Sequence, residues 1–231
     1  MLRTPLAQSI MTGGRNMARF LINRGAGVNN NSSNGRTRPL FFACTHGMTD
    51  IAQLLINRGA TINARTTDGR TALHGAVIGR SLECVRLLIS RGANVNAQDN
   101  NGETPLFYAC LNQVIVPDII EALVLAGANP RIASDSGNNA GKTPLDKLVN
   151  RPKNAARNDA LLVMVKHGAS VTTWNNLQRL MNTNENLRRR VLALTGGAGR
   201  GQSVASRLTR RETGLTPRNR NPIPRGTKRK R

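Results

Sequence analysis

Residues 68–76 read DGRTALHGA, and residues 101–109 read NGETPLFYA. Each stretch places turn-forming residues directly before an apolar helix start. A second string, LLISRGA at residues 87–93, ends the helix pair that begins after residues 68–76. The same kind of apolar tail, ending in Gly-Ala, recurs along the chain at residues 20–26, 54–60, 123–128 and 164–169. The chain is therefore built from one unit used several times.

The two strings recur with a regular period. The glycines of successive tails are separated by 34, 33, 35 and 41 residues. The residues that precede the helix-start leucines are separated by 34, 33, 33 and 39 residues. A period near 33 residues predicts a solenoid of helix pairs. Thr104 is a good N-cap, Pro105 suits the first helical position, and Gly92 can end a helix in the left-handed conformation.

These strings resemble the ankyrin repeat, whose marks are a D-G-x-T-P-L-H-x-A opening and a G-A-x-V-N close. The resemblance implies an all-α ankyrin-repeat solenoid of helix–turn–helix units with β-hairpin-like loops. It predicts five repeats over residues 1–171, at about 2–33, 34–66, 67–99, 100–138 and 139–171. We expect the first unit to act as an N-terminal cap, and the insertions at 113–118 and 151–158 to lie between the two helices of their units. Residues 172–195 read as a degenerate C-terminal helical cap, and residues 196–231 as a disordered basic tail.

Charge is spread unevenly along the chain. The net charge is +22, and residues 196–231 hold eleven Lys or Arg and one acidic residue. Residues 1–49 hold six Arg and no acidic residue. The three cysteines are an odd number without a closely spaced pair, which argues against a disulfide scaffold and favours an intracellular, reducing compartment.

The sequence offers no catalytic residues, no cofactor site and no metal site. Residues 137–143 are one residue too short for a phosphate-binding loop, and residues 196–203 have Gln202 where that loop needs lysine. No clustered His or Cys spacing fits zinc. We expect His74 to be structural, with its ring bonded to the backbone of a neighbouring hairpin. The chain therefore does not read as an enzyme.

The resemblance implies a concave protein-binding surface made of hairpin tips and first helices. Aromatic residues dominate binding energy at interfaces, so Phe42 and Tyr108 are candidate anchors; the alternative is that both pack on the adjacent repeat. The protein-binding residues predicted on this basis are Arg36, Phe42, His46, Asp68, Arg70, Asn100, Asn101, Glu103, Tyr108 and Asn112.

Three functions compete. The favoured one is a protein-binding adaptor or inhibitor, whose partner is an unknown protein with an acidic surface. In the alternative, a chromatin- or nucleic-acid-associated protein, the tail holds phosphates non-specifically and binding weakens steeply with salt. The third, an enzyme subunit, has no residue-level support. The basic cluster at residues 228–231 predicts nuclear targeting. The alternative is a merely solubilising tail. The residues of the cluster are Lys228, Arg229, Lys230 and Arg231. We expect a monomer without membrane contact, nuclear or cytoplasmic. Small ankyrin proteins with irregular end units are typical of large DNA viruses and intracellular bacteria, which suggests a host-interaction protein.

Overall fold

The computed structural model describes residues 4–29, 38–150 and 154–166, together with Arg189. Ten α-helices lie in these ranges as five consecutive pairs, and no strand is found there beyond an isolated bridge between Ser134 and Ala140. The helices are α1 (Pro5–Met11), α2 (Arg15–Asn23), α3 (Pro39–Thr45), α4 (Thr49–Asn57), α5 (Ala72–Ile78), α6 (Leu82–Ser90), α7 (Pro105–Leu111), α8 (Pro117–Leu125), α9 (Pro144–Val149) and α10 (Ala155–Lys166). The predicted all-α architecture of helix pairs is confirmed.

The Gly-Ala tails end the second helix of each of the first four pairs in the same way. Gly92 has a φ of 79°, in the left-handed region that glycine adopts at no steric cost. The N–H of Ala93 then reaches back to the carbonyl of Leu88 at 3.0 Å. This is the Schellman arrangement, which satisfies carbonyls that a helix end leaves free. The recurring string is therefore a helix stop.

The pairs stack as two layers with the core between them. Each first helix (α1, α3, α5, α7, α9) contacts the next first helix, and each second helix (α2, α4, α6, α8, α10) contacts the next second helix. Leu73, Ala76 and Leu88 in the third unit are fully or almost fully buried. Since these side chains contact neighbouring units as well as their own, one unit alone could not bury them.

A ladder of asparagines joins successive units at the loops after the second helices. Asn96 donates its side-chain amide to the carbonyl of Gly127 at 3.1 Å and accepts the N–H of Asn129 at 2.7 Å. Asn63 makes the same pair of bonds to Gly92 and Asn94. Each asparagine thus fixes the loop of the next unit by one donated and one accepted bond.

Arginines that end the second helices add a further link between units. Arg58 donates to the carbonyl of Ile22 at 2.7 Å and to the side chain of Asn23 at 3.1 Å. Arg91 donates to the side chains of Gln53 and Asn57, one unit earlier. The Arg-Gly-Ala string therefore stops a helix and ties it to the preceding unit.

His74 joins the third and fourth units, as predicted. Its ring is fully buried. The N–H of Thr71 lies 3.1 Å from Nδ1, and Nε2 lies 3.1 Å from the carbonyl of Glu103. Nδ1 must accept and Nε2 must donate, so the neutral ring satisfies both contacts. Burial lowers the pKa of His74 to about 4, with Arg70 and Arg65 adding to the effect against the opposing influence of Asp99 and the Glu103 carbonyl.

The two places where the repeat lengthens differ from the prediction. In the fourth unit the segment between the helices is only residues 112–116, and Pro117 already begins α8. In the fifth unit part of the extra length lies before the helices, in the hairpin of residues 134–142 with its short 3-10 turn Gly137–Asn139. The predicted bounds of the insertion in the fifth unit, residues 151–158, are wrong at their C-terminal end, since Asn158 lies within α10.

Several predictions fall outside the described residues. These are Arg36, the basic tail at 196–231 and, apart from Arg189, the C-terminal cap at 172–195. The repeat boundaries remain predictions. In the described part of the chain, no helix has the length and apolar character needed to cross a bilayer.

The asparagine ladder can be tested by removing one rung. We expect Asn96→Ala to lower the free energy of unfolding by about 1 kcal/mol, because Gly127 and Asn129 each lose a hydrogen-bond partner. Urea unfolding monitored by circular dichroism measures the change. The control is Asn16→Ala on the exposed face of α2, which should cost nothing. Equal stability of the two variants would contradict the role of the ladder.

The buried histidine makes stability depend on pH in a defined direction. The unfolded chain takes up the His74 proton near the usual pKa of 6.5, whereas the folded chain takes it up only near 4. Stability is therefore full above about pH 6.5 and falls, by about 3 kcal/mol in the limit, as the pH drops towards 4.

We expect His74→Gln to flatten that pH dependence and to cost about 1–3 kcal/mol at pH 7, because the bond to Glu103 is lost. Glutamine suits this helix position because it can still accept the N–H of Thr71. Urea unfolding at pH 7 and pH 4.5 compares the two proteins. Exposed His46 provides the control, and His46→Gln should retain the wild-type slope. A His74→Gln protein with an unchanged slope would refute the assignment.

Candidate protein-binding surface

The hairpin turns of the third, fourth and fifth units form a row, which we call the tip row: residues 66–70, 99–103 and 134–142. Each turn is closed by its own backbone bond, as in the third unit, where the N–H of Thr66 donates to Arg70 at 2.8 Å. The turns are also joined to each other. The N–H of Asn100 donates to the carbonyl of Asp68 at 3.0 Å, and the N–H of Asp135 donates to Asn101 at 2.8 Å. The tip row is therefore held at fixed spacing.

Close approach of the turns requires glycine at one position in the third and in the fourth unit. Gly102 has a φ of 75°. A Cβ there would lie 2.7 Å from the backbone nitrogen of Asp135, inside any normal contact distance. The Asp-Gly and Asn-Gly dipeptides that open the units thus serve both the turn and the contact with the next unit.

Five predicted binding residues are exposed or half-exposed. His46 follows α3, and Asp68, Asn100 and Asn101 occupy the turns. Asn100 also donates its side-chain amide to the carbonyl of Thr67 at 2.8 Å. Arg70 is partly exposed, with 32% of its side chain accessible. Asp68, Arg70, Asn100 and Asn101 lie along the tip row and can meet a partner. His46 is exposed at the opposite end of α3 from Arg38, which contacts Arg65.

Glu103 and Tyr108, which were predicted to be exposed, are buried. Tyr108 is 8% exposed and donates its hydroxyl to the Asp99 carboxylate at 2.8 Å. Asn139 of the long fifth hairpin donates to the Glu103 carboxylate at 2.5 Å. The prediction that both residues are exposed is wrong, because neighbouring units cover them. Tyr108 therefore packs on the adjacent repeat, which was the alternative to its being an anchor for a partner.

A buried polar network replaces the predicted aromatic anchor. The Asp99 carboxylate accepts the N–H groups of Asn101 and Glu103 at 2.9 and 3.0 Å. The Arg70 guanidinium lies 5.1 Å from the centre of the Tyr108 ring, and its Nε is 3.7 Å from Asp99. Burial and the bond to Asp99 raise the pKa of the Tyr108 hydroxyl.

Two further predicted residues have structural contacts. Phe42 is half-buried and meets the ring of Phe41 edge-on, with centroids 5.3 Å apart. Asn112 is half-buried and donates its side chain to the carbonyl of Val77 at 2.9 Å. Asn112 thereby links the fourth unit to the third.

The sequence reasoning missed two arginines beside the tip row. Arg38 donates its Nε to the carbonyl of Arg65 at 3.0 Å, and Arg65 donates to the carbonyl of Gln98 at 2.7 Å. Each side chain thus reaches towards the following unit, and Arg65 remains exposed. Their spacing of 27 residues does not match the repeat period, so no periodic pattern pointed to them.

A pair of buried thiols also escaped the sequence reasoning. Cys44 of α3 and Cys84 of α6 are free and fully buried. A hydrogen bond between them raises the pKa of Cys44 and lowers the pKa of Cys84, which also lies 3.3 Å from the hydroxyl of Thr49. The absence of a closely spaced pair in the sequence concealed this contact, because the two cysteines come from adjacent units.

Among the residues that the structure describes, no group of three or more His, Cys, Asp or Glu side chains is arranged to hold a metal ion. The Gly-Lys-Thr stretch near residue 142 belongs to the long fifth hairpin, where the Lys142 carbonyl accepts the N–H of Ser134. It closes a turn.

Comparison with known proteins agrees with the architecture. A family model described as "Ankyrin repeats (3 copies)" matches the chain over residues 2–66 and again over residues 62–134. No curated protein matches the chain. The two family matches together span more than half of the 231 residues. The chain belongs to the ankyrin-repeat family.

Proposed function

We propose that this chain is a protein-interaction module, an adaptor or inhibitor, that binds a partner along the tip row. Ankyrin repeats are in general modules for binding proteins. The observation that carries the proposal is the row itself: turns of three successive units joined by backbone hydrogen bonds, with exposed polar side chains on each. A surface fixed in this way loses little conformational entropy on binding.

The partner that we propose has an acidic surface. Exposed Arg65 and half-exposed Arg38 and Arg70 lie beside the turns, and His46 lies at the end of α3. Asp68 and Asp135 at the tips provide the opposite charge and would set the register of the partner. Complementary charges of this kind contribute more to specificity and to the rate of association than to the total affinity.

A charge reversal beside the tip row tests the proposal. Arg65→Glu combined with His46→Ala should abolish capture of the main partner in quantitative cross-linking and mass spectrometry with the full chain. Both residues are exposed, and the fold should persist because loss of the bond from Arg65 to the Gln98 carbonyl costs only about 1 kcal/mol. Arg86→Glu on the exposed side of α6 is the matched control, and it should leave capture unchanged. A partner captured equally by all three proteins binds elsewhere.

A second candidate function rests on where the charge lies. Residues 38–150 hold ten basic and nine acidic residues, so the surplus of the chain comes mainly from its two ends. Residues 196–231 carry eleven basic residues and no aromatic one. Such a segment can neutralise phosphates, but it lacks the aromatic side chains on which bases stack. It suits nuclear targeting or non-specific nucleic-acid contact.

The basic cluster is tested by the distribution of a fluorescent fusion in a eukaryotic cell. A fusion too large for passive diffusion through nuclear pores should concentrate in the nucleus. A matched fusion with four substitutions to Ala, at Lys228, Arg229, Lys230 and Arg231, should stay in the cytoplasm. If both fusions distribute alike, the cluster is not a nuclear signal.

A further inference from the structure

The second helix of the first unit exposes an apolar surface that the later units bury. Met17 and Phe20 are 56% and 53% exposed, one helical turn apart on α2. The helix packs through its other side, where Ala18 and Ile22 are buried, and Arg15 and Arg19 reach Asp50 of α4. In the described residues no element packs against Met17 and Phe20. We call the surface formed by Met17, Phe20 and Arg24 the α2 face.

The equivalent positions in later units show what kind of environment the residues of the α2 face normally occupy. The residue equivalent to Met17 is Ile51 in the second unit, Cys84 in the third and Ile119 in the fourth. These three side chains are 0%, 0% and 2% exposed. The equivalents of Phe20 are Leu54 and Leu87, which are partly buried and packed against the core. In each later unit this position packs in the interior of the solenoid, so the α2 face has the chemistry of an interior surface.

The first helix of the same unit behaves differently, and this limits the size of an occupant. Pro5 and Gln8 of α1 are exposed, whereas Pro39 and Pro105, the equivalents of Pro5, are buried. Gln8 presents a polar side chain there. The apolar area is therefore confined to α2, which suits one helix lying alongside it better than a complete further helix pair. The prediction that the first unit is a cap holds for α1 in this sense, but α2 lacks the polar outer face that a cap needs.

The charge around the α2 face is positive. Residues 1–49 contain six arginines and no acidic residue. Arg24 lies over the ring of Phe20, 5.2 Å from its centre, and forms no ion pair with any residue in the described ranges. An occupant with acidic residues beside its apolar stripe would pair with this arginine as Met17 and Phe20 become buried.

We propose that the α2 face binds one amphipathic helix of a partner protein, with apolar residues at helical spacing and acidic residues flanking them. This contact is separate from the tip row. A helix that lays its apolar side into such a surface is a common mode of peptide recognition. A second copy of this chain fits less well, because the α2 faces of two copies would bring arginines together, and the nearby Asp50 is already paired with Arg15 and Arg19.

Two peptides of about 18 residues, stapled as helices of several turns, provide the probes. Both carry the same leucine stripe, flanked by Glu in one and by Lys in the other. Fluorescence anisotropy with the full chain at physiological salt should show binding of the Glu peptide and not of the Lys peptide. Met17→Gln with Phe20→Gln should weaken the Glu peptide about tenfold or more, and Arg24→Gln should weaken it less.

The matched control is Val114→Gln with Leu125→Gln, which removes two side chains that are 54% and 67% exposed in the fourth unit. It should bind the Glu peptide like the wild type. The basic tail is the same in every variant, so its attraction for the peptide cancels. Melting temperatures should agree, since all four apolar residues are exposed.

Three results would overturn the proposal. The first is equal affinity of the Glu peptide for the wild type and the Met17/Phe20 double variant. The second is a dimer in sedimentation that only this double variant dissociates, which would make a second copy the occupant. The third is binding of phosphatidylserine vesicles through Met17 and Phe20 without binding of the Glu peptide, which would assign the α2 face to a membrane surface.

Discussion

The structure depends on one constraint: no helix pair can bury its apolar face without the next pair. Leu88, Ile51 and Leu106 are buried because a neighbouring unit lies against each. The polar bonds between units follow from this packing and make its register unique. Asn96 and Arg58 both span an interface, one at the loop and one at the helix end. Apolar burial supplies the driving force, and these directional bonds fix the distance from one unit to the next.

The same constraint explains what the sequence could and could not predict. The helix starts and the helix stops depend on a few residues close together in the chain, so the repeated strings were enough to predict them. The role of His74, whose ring reaches Glu103 of the next unit, was predicted from its place in the repeated opening string. Glu103 is covered by a hairpin more than thirty residues later, and Tyr108 contacts Asp99 and, from the preceding unit, Arg70. A periodic pattern shows which positions are equivalent, but it does not show that Asn139 covers one of them. The α2 face was missed for the converse reason, since Met17 looks like any other core position in its repeat.

Placement of charge divides the molecule into regions with different uses. The stacked units between residues 38 and 150 hold nearly equal numbers of acidic and basic residues. Some of the acidic side chains accept hydrogen bonds from within the protein. Asp99, for example, accepts two backbone N–H groups and the Tyr108 hydroxyl. Asp99 thus satisfies a turn, and Asp146 accepts the N–H of Thr143 at the start of α9. The remaining positive charge belongs to the first unit, the arginines beside the tip row and the C-terminal residues.

The contact between Cys44 and Cys84 gives the molecule an internal reporter. One thiol belongs to the second unit and the other to the third, and neither is accessible to solvent. A reagent that alkylates thiols can reach them only when those two units come apart. The rate of labelling at these positions therefore measures how often that interface opens under native conditions, well below the point at which the chain unfolds. Because Cys110 is buried between other helices of the stack, its rate would measure a different interface in the same experiment. The three buried thiols thus make the local opening of this solenoid measurable without any engineered label.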